Sequence, residues 1–280
     1  VATSATYQDA VDFLSHSPYG DHVQPGDDLT AASHGVSAAL LWNLRVLAGW
    51  LPPAGADMLR ALGAWFEIAN IEQHLRALAG RAVEPSFHLG TLATAWPRLA
   101  DTGSVEQLVT ELATSGWGAP SGPTPADIAL SLRLSWAERV VARVPAARPW
   151  TVGAVALLLA RERFGRAAPL PPATVAATGR VIGVTAVAAS NIVELRDRVP
   201  REGRWVLDGI ADADELWRAE ARWWLRLRND SARLVAGAGF GPDPVIGAAG
   251  LLAADARLVV GALALAGRGS GSAEVFDELA

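Results

Sequence analysis

Apolar positions along this chain recur every three or four residues far more often than every second residue. Leu59, Leu62 and Phe66 open one such stripe, and Ile68, Ile71, Leu75 and Leu78 continue it. The spacing predicts one helix from about Asp57 to Ala79, stopped at Gly80. Ser104 stands three residues ahead of Gln107 and just before Val105, Leu108, Val109 and Leu112, the sequence form of a capping box. Thr124, Pro125 and Asp127 read as an N-cap, a first-turn proline and an acid that answers the helix dipole. Pro52-Pro53, Pro120 to Pro125, Pro169 to Pro172 and Gly237 to Pro244 punctuate the chain between these segments. No stretch alternates apolar and polar residues between hairpin dipeptides, so the predicted fold class is all-α.

The chain also resembles itself. Tyr7 to Gly20 (YQDAVDFLSHSPYG) aligns with Val105 to Gly118 (VEQLVTELATSGWG) at a constant offset of 98, which puts Val11 on Val109, Leu14 on Leu112, Ser17 on Ser115 and Tyr19 on Trp117. Both copies end in Ser-x-aromatic-Gly, where glycine can supply a left-handed turn and the aromatic can cover the helix end. A second motif joins Glu67 to Arg81, Ala188 to Arg198 and Ala254 to Arg268. In it Asn70-Ile71 corresponds to Asn191-Ile192, and ALAGR recurs at residues 77–81 and 264–268. Three copies of one helical unit are the simplest account.

Composition narrows the chemistry. At 280 residues the chain is near the size at which one hydrophobic core stops growing, so two or three lobes are expected. Its 51% hydrophobic and 19% charged residues describe a folded protein, and its net charge of −5 offers no general field for nucleic acid. There is no cysteine, which removes thiolate metal sites and cysteine nucleophiles. All 24 basic residues are arginine, so neither a Walker A lysine nor Schiff-base chemistry is encoded. The first residues lack a basic-then-apolar leader pattern, and a trimmed N-terminus is expected. The run from Gly247 to Gly267 is long enough to span a membrane, but Asp255 and Arg257 interrupt it, and a core helix is the expectation.

At its repeated units the chain resembles the C (or d) subunit family of V-type and archaeal-type rotary ATPases. The resemblance rests on DFLSHSPYG near the start, WFEIANIEQHLRALAGR (Trp65 to Arg81), ASNIVELR (Ala189 to Arg196) and DPVIGAAGLL (Asp243 to Leu252), in that order and spacing. It implies three helical lobes about a pseudo-threefold axis forming a funnel, with residues 1–26 and 241–280 sharing the first lobe, 27–123 the second and 124–240 the third. It also implies a non-catalytic subunit without active site or cofactor, cytoplasmic and peripheral on the membrane. Its partners would be the central-shaft subunits and the membrane rotor ring, so that ATP hydrolysis drives ion transport, of protons or sodium, with protons the expectation.

Glu67, Asn70 and His74 follow a three-then-four spacing and share a helix face opposite much of the Leu/Ile stripe, and Asn191, Glu194 and Arg198 repeat the arrangement. These six are the candidate partner-binding residues. The plainer alternative is a solvated face with local ion pairs such as Glu72 to Arg76. From Asp212 to Arg233, Trp217, Trp223 and Trp224 interleave with five arginines, readable as a membrane-resting helix or as a core helix whose arginines reach outward. Asp208, Asp212, Asp214 and Glu215 could gather a divalent metal, but helix-start acids explain the last three more simply. Asp27-Asp28 is similar to the metal motif of isoprenoid synthases without its third acid, and Asn229-Asp230-Ser231 lacks the companion spacing. The five histidines include no i, i+4 pair for zinc, and Gly237-x-Gly239-x-Gly241 reads as a turn. Two alternatives stay open: an all-α magnesium enzyme of isoprenoid-synthase type, and a helical scaffold with an unrelated partner.

Overall fold

The computed structural model describes Val1, Ser4 and residues 6–237 and 241–268. Among these, thirteen α-helices and no strand are present, so the chain is all-α. In chain order the helices are α1 (Tyr7–Ser15), α2 (Leu29–Trp50), α3 (Pro53–Leu78), α4 (Trp96–Leu99), α5 (Val105–Thr114), α6 (Pro125–Arg143), α7 (Arg148–Ala160), α8 (Pro172–Ile182), α9 (Val184–Val187), α10 (Ile192–Arg198), α11 (Arg201–Arg204), α12 (Leu216–Ala236) and α13 (Asp243–Gly267). They form two compact units. Of the described residues, one holds those from 1 to 50, 84–88 and those from 227 to 268, and the other 51–83 and 89–226, with the division falling inside α12.

Local chemistry sets most helix ends. α3 starts at Pro53, four residues before the predicted start at Asp57, because a proline at the first helical position has the helical φ already fixed and needs no N–H partner. It ends at Leu78. Gly80 follows with φ +72, and the Arg81 N–H donates back to the Arg76 carbonyl at 3.0 Å, so glycine supplies the left-handed stop. At α6 the Thr124 hydroxyl oxygen accepts from the Asp127 N–H at 3.1 Å, as the Thr-Pro-x-Asp pattern predicts. Of the expected glycine turn before α13, Gly239 lies outside the described residues.

Three buried clusters form the cores. In the first unit, Ala10, Val11 and Leu14 of α1 pack with Ala32 and Val36 of α2 and with Ala256 and Leu263 of α13. In the other unit, Ile68, Ile71 and Leu75 of α3 pack with Leu99, Leu108, Leu112, Trp117, Ile128 and Leu132. The third cluster gathers Val152, Val155 and Leu159 of α7 with Val181, Ile182, Ile192, Leu195, Val199 and Leu216. α6 serves both clusters of its unit, giving Ile128 and Leu132 to one and Leu134 and Ala137 to the other. The apolar run at residues 152–160 lies in α7, which is buried on nearly every side, as its unbroken hydrophobicity requires. α13 is long and apolar enough to cross a membrane by length and composition, with 33% of its most apolar window buried. Asp255 and Arg257 are exposed near its middle.

The repeat at offset 98 has a structural counterpart. The Ser17 hydroxyl donates to the Leu14 carbonyl at 2.7 Å and accepts from the Tyr19 N–H at 3.2 Å. The Ser115 hydroxyl does the same with Leu112 at 2.8 Å and Trp117 at 3.1 Å. The two glycines differ. Gly118 has φ +81 and supplies the left-handed turn, whereas Gly20 is held by crowding, since a Cβ there would lie 2.3 Å from the Ser15 carbonyl oxygen.

His34 on α2 stacks on Phe87 with ring centroids 4.3 Å apart and planes 13° from parallel. Burial lowers its pKa below the ordinary 6.5, opposed in part by the Glu84 carboxylate. A histidine whose folded pKa is lowered contributes stability that is fully present above its unfolded pKa of 6.5 and is lost as pH falls from there through the lower folded pKa. Unfolding by urea should therefore need less denaturant at acid pH than at neutral pH, with His34→Phe removing part of that difference. An unchanged pH dependence in His34→Phe would contradict the assignment.

Candidate functional site

The six candidate residues fall into two groups with different surroundings. Glu67 and Asn70 on α3 are completely buried at 0% exposure, which corrects the expectation of a polar face open to a partner. α3 is enclosed on two sides, because α6 packs along one side and the segment from Gly90 to Trp117 closes the other. A polar side chain on that second side must therefore find its partners inside the unit.

Glu67 finds three. Its carboxylate accepts from the backbone N–H groups of Thr94 and Ala95, the latter at 2.7 Å, and from the Trp117 indole N–H at 2.8 Å. The Arg139 guanidinium lies over the Trp117 ring, 4.0 Å from its centroid, and donates to the Thr94 hydroxyl at 3.3 Å. Burial pushes the Arg139 pKa down while the Glu67 charge holds it up, and two of its nitrogens, Nε and Nη2, are buried without a hydrogen-bond partner. Two turns on from Glu67, the His74 Nε2 lies 2.8 Å from the Thr102 hydroxyl and 3.0 Å from its carbonyl, with the Trp96 ring edge-on at 6.1 Å. Glu67 and His74 thus clasp the irregular segment between Gly90 and Thr102 onto α3. Glu72 pairs with Arg133 on α6 at 2.6 Å, where the sequence suggested Arg76.

Asn191, Glu194 and Arg198 do something else. Asn191 is the N-cap of α10, its side-chain oxygen accepting from the Glu194 N–H at 2.9 Å. The Glu194 carboxylate accepts from the Ser190 N–H, which holds its pKa below the ordinary carboxylate range. Arg198 pairs with Glu194 and donates to the Thr185 carbonyl at 3.1 Å. Asn191 and Arg198 are exposed. The correspondence of Asn70-Ile71 with Asn191-Ile192 is therefore not a structural one, since the first pair sits inside a long helix and the second begins a short one.

What α10 does match is α1 and α5. Thr6, Ser104 and Asn191 are the N-caps of the three helices, and each accepts from the N–H three residues on. Asp9, Gln107 and Glu194 reach back to the N–H of Thr6, Gly103 and Ser190. Four and eight residues past each cap stand Ala10 and Leu14, Leu108 and Leu112, and Leu195 and Val199, all at 0% or 1% exposure. In the first two copies the closing aromatic donates to a carboxylate on a long helix, Tyr19 to Asp255 of α13 and Trp117 to Glu67 of α3. Burial and the Asp255 contact raise the Tyr19 pKa and keep its phenol protonated. Sequence comparison missed this pair because the ALAGR match sets Ala254 on Glu67. The structural equivalent is Asp255, one residue later.

The basic tryptophan segment is a helix of mixed burial. The Trp223 indole N–H donates to the Trp150 carbonyl at 2.8 Å, and Trp224 meets Trp223 edge-on at 4.9 Å, while Trp217 is 58% exposed. Arg222 donates to the carbonyls of Val206 at 3.1 Å and Asp208 at 2.6 Å. Asp212, Asp214 and Glu215 stand in and just before the 3₁₀ turn that leads into α12, and Glu215 pairs with Arg218 at 2.8 Å. No group of three or more metal-ligating side chains occurs among the described residues. A cleft bounded by Leu134, Val155, Leu159, Glu162 and Thr174 has a volume of about 10 Å³, room for about one water molecule.

Glu67→Ala should remove about 3–5 kcal/mol of unfolding free energy, because it strands a largely buried guanidinium and three donors. Glu67→Gln should cost less, about 1–3 kcal/mol, since one amide face still accepts while the other meets an N–H donor. Urea titration followed by tryptophan emission reads both. A loss below about 0.5 kcal/mol for Glu67→Ala would show that the clasp contributes nothing. In comparison with known proteins, the chain matches no family model, and no curated protein matches it.

Proposed function

We propose that the chain is a non-catalytic coupling subunit of a rotary ATPase of the V or archaeal type, linking the central shaft to the membrane rotor ring so that ATP hydrolysis drives proton transport. In this reading the protein consists of three helical lobes related by a pseudo-threefold axis and forming a funnel, the first lobe shared between the two ends of the chain. It is cytoplasmic and peripheral on the inner face of the membrane, with shaft and ring subunits as partners.

One observation carries the proposal. The same short capped helix occurs three times, with the same two positions buried, once in each of the three apolar clusters. A chain built by repeating a packing unit suits a part whose task is to hold its shape under torque, because close-packed interiors are stiff and transmit strain. The clustered ionisable groups support the reading too. Glu67 and His74 are engaged in holding a backbone segment, and Arg139 bonds the Thr94 side chain of the same segment, an arrangement that serves rigidity. Of the six candidate contacts, Asn191 and Arg198 are the exposed ones, and with Glu194 they run along α10 from its N-cap to its last residue.

Co-expression with shaft and ring subunits, followed by affinity capture at low ionic strength, tests the proposal. The expected result is a stable complex with both partners. Arg198→Gln should weaken capture severalfold while costing no more than about 1 kcal/mol of stability, the range of an exposed ion pair. Failure to retain either shaft or ring at low salt would overturn the reading.

A further inference from the structure

The C-terminal half of α2 carries an apolar ridge. Trp42, Val46 and Trp50 follow one another at intervals of four, so they lie on one helix face, and they are 50%, 36% and 87% exposed. The rest of the helix behaves differently. Between residues 31 and 41 no residue is exposed, and Ala32 and Val36 belong to the cluster with α1 and α13. The helix is therefore enclosed over residues 31–41, while in its last turns Leu44 and Ala48 stay buried on one face and the tryptophan ridge is open on another.

Charge distribution says what the ridge suits. Residues 29–56 contain no aspartate or glutamate in a chain that holds 29 acids and a net charge of −5. The one basic residue in that stretch is Arg45, which is half-buried and lies three residues past Trp42. A helix that contributes no acids of its own and carries one guanidinium between two tryptophans in sequence is complementary to a phosphate-bearing headgroup layer, where indole rings settle with the apolar body in and the N–H toward water. Area points the same way. With a tryptophan side chain near 250 Å², the ridge offers roughly 400 Å², about half of what each partner contributes to an ordinary protein interface. Two copies of this chain joined through the ridge alone would fall short of a stable dimer, whereas a shallow insertion into lipid needs no matching surface.

We propose that the Trp42–Val46–Trp50 ridge is a lipid contact that seats α2 in the headgroup layer of a bilayer. The inference deepens the peripheral-membrane part of the coupling reading, although its observations are independent of the triplicated helices. The partner is the lipid surface itself. Indole insertion supplies most of the attraction, and Arg45 adds a preference for anionic headgroups.

The purified full chain is sedimented with vesicles of phosphatidylcholine and with vesicles that also contain phosphatidylglycerol, each at low and high salt. Binding to both is expected, stronger with the anionic lipid at low salt and persisting at high salt. Trp42→Ala combined with Trp50→Ala should lower partitioning at least about tenfold with an unchanged thermal transition. Arg45→Gln should reduce only the anionic preference. Absence of vesicle binding by the wild-type chain would overturn the proposal, as would binding that the double variant retains. Loss of all binding at high salt would overturn it too, since attraction would then be electrostatic. If the double variant converts a dimer to a monomer while neither form binds vesicles, the ridge is a self-contact and the proposal fails. Because capture by detergent-solubilised ring and shaft is read without vesicles, its outcome separates the coupling reading from the lipid contact.

Discussion

A helix of seven to ten residues is not stable alone in water, because its end groups and nucleation cost outweigh its few hydrogen bonds. α1, α5 and α10 have nine, ten and seven residues. Each exists because three things coincide: a side-chain cap that satisfies donors of the first turn, a partner three residues on that answers the loop before it, and two inward positions four residues apart. Burying those two positions anchors the helix to its cluster. Within each cluster the longer helices pack against one of these short elements.

The first two of them share a further device. Where the helix ends, a serine turns the chain and an aromatic side chain reaches a carboxylate on a long helix. The chemistry differs between copies in a way burial explains. Asp255 is exposed and receives a phenol, while Glu67 is fully enclosed and therefore needs three donors and the nearby Arg139 charge to remain in the interior. Functionally this matters because Glu67, the most buried acid among the candidates, has its oxygens engaged in hydrogen bonds. Its role is to fix the loop between Gly90 and Trp117, and that gives the cluster a single arrangement.

Much of the architecture was legible in the chain before any coordinates. Gly80, Ser104 and the Thr124-Pro125-x-Asp127 start act within one or two turns, so their effects follow from local chemistry alone. The Ser-x-aromatic-Gly repeat was legible for the same reason. The face of α3 was not. A run of Glu67, Asn70 and His74 looks solvated when only its own helix is considered, and the loop that covers it comes about 25 residues later and has no periodic pattern. Asn191 misled in the opposite sense. The Asn-Ile dipeptide is shared with α3, but Ala188 to Ser190 form no continuous helix before it, so the asparagine caps where Asn70 merely continues. The one-residue shift between Ala254 and Asp255 has a similar origin, because the ALAGR match aligns helix ends and not the side chains that meet the aromatic.

Hydrogen exchange measured on the intact chain tests most directly the claim that one capped-helix unit was used three times. Ser104→Ala should shorten protection across α5 and the segment it packs against, while protection in α1 and α10 stays as in the unaltered chain. Thr6→Ala and Asn191→Ala should each do the corresponding damage within their own cluster, by about 1 kcal/mol of local opening free energy. Uniform loss of protection across all three helices from any one substitution, or no loss at the helix whose cap was removed, would contradict the account.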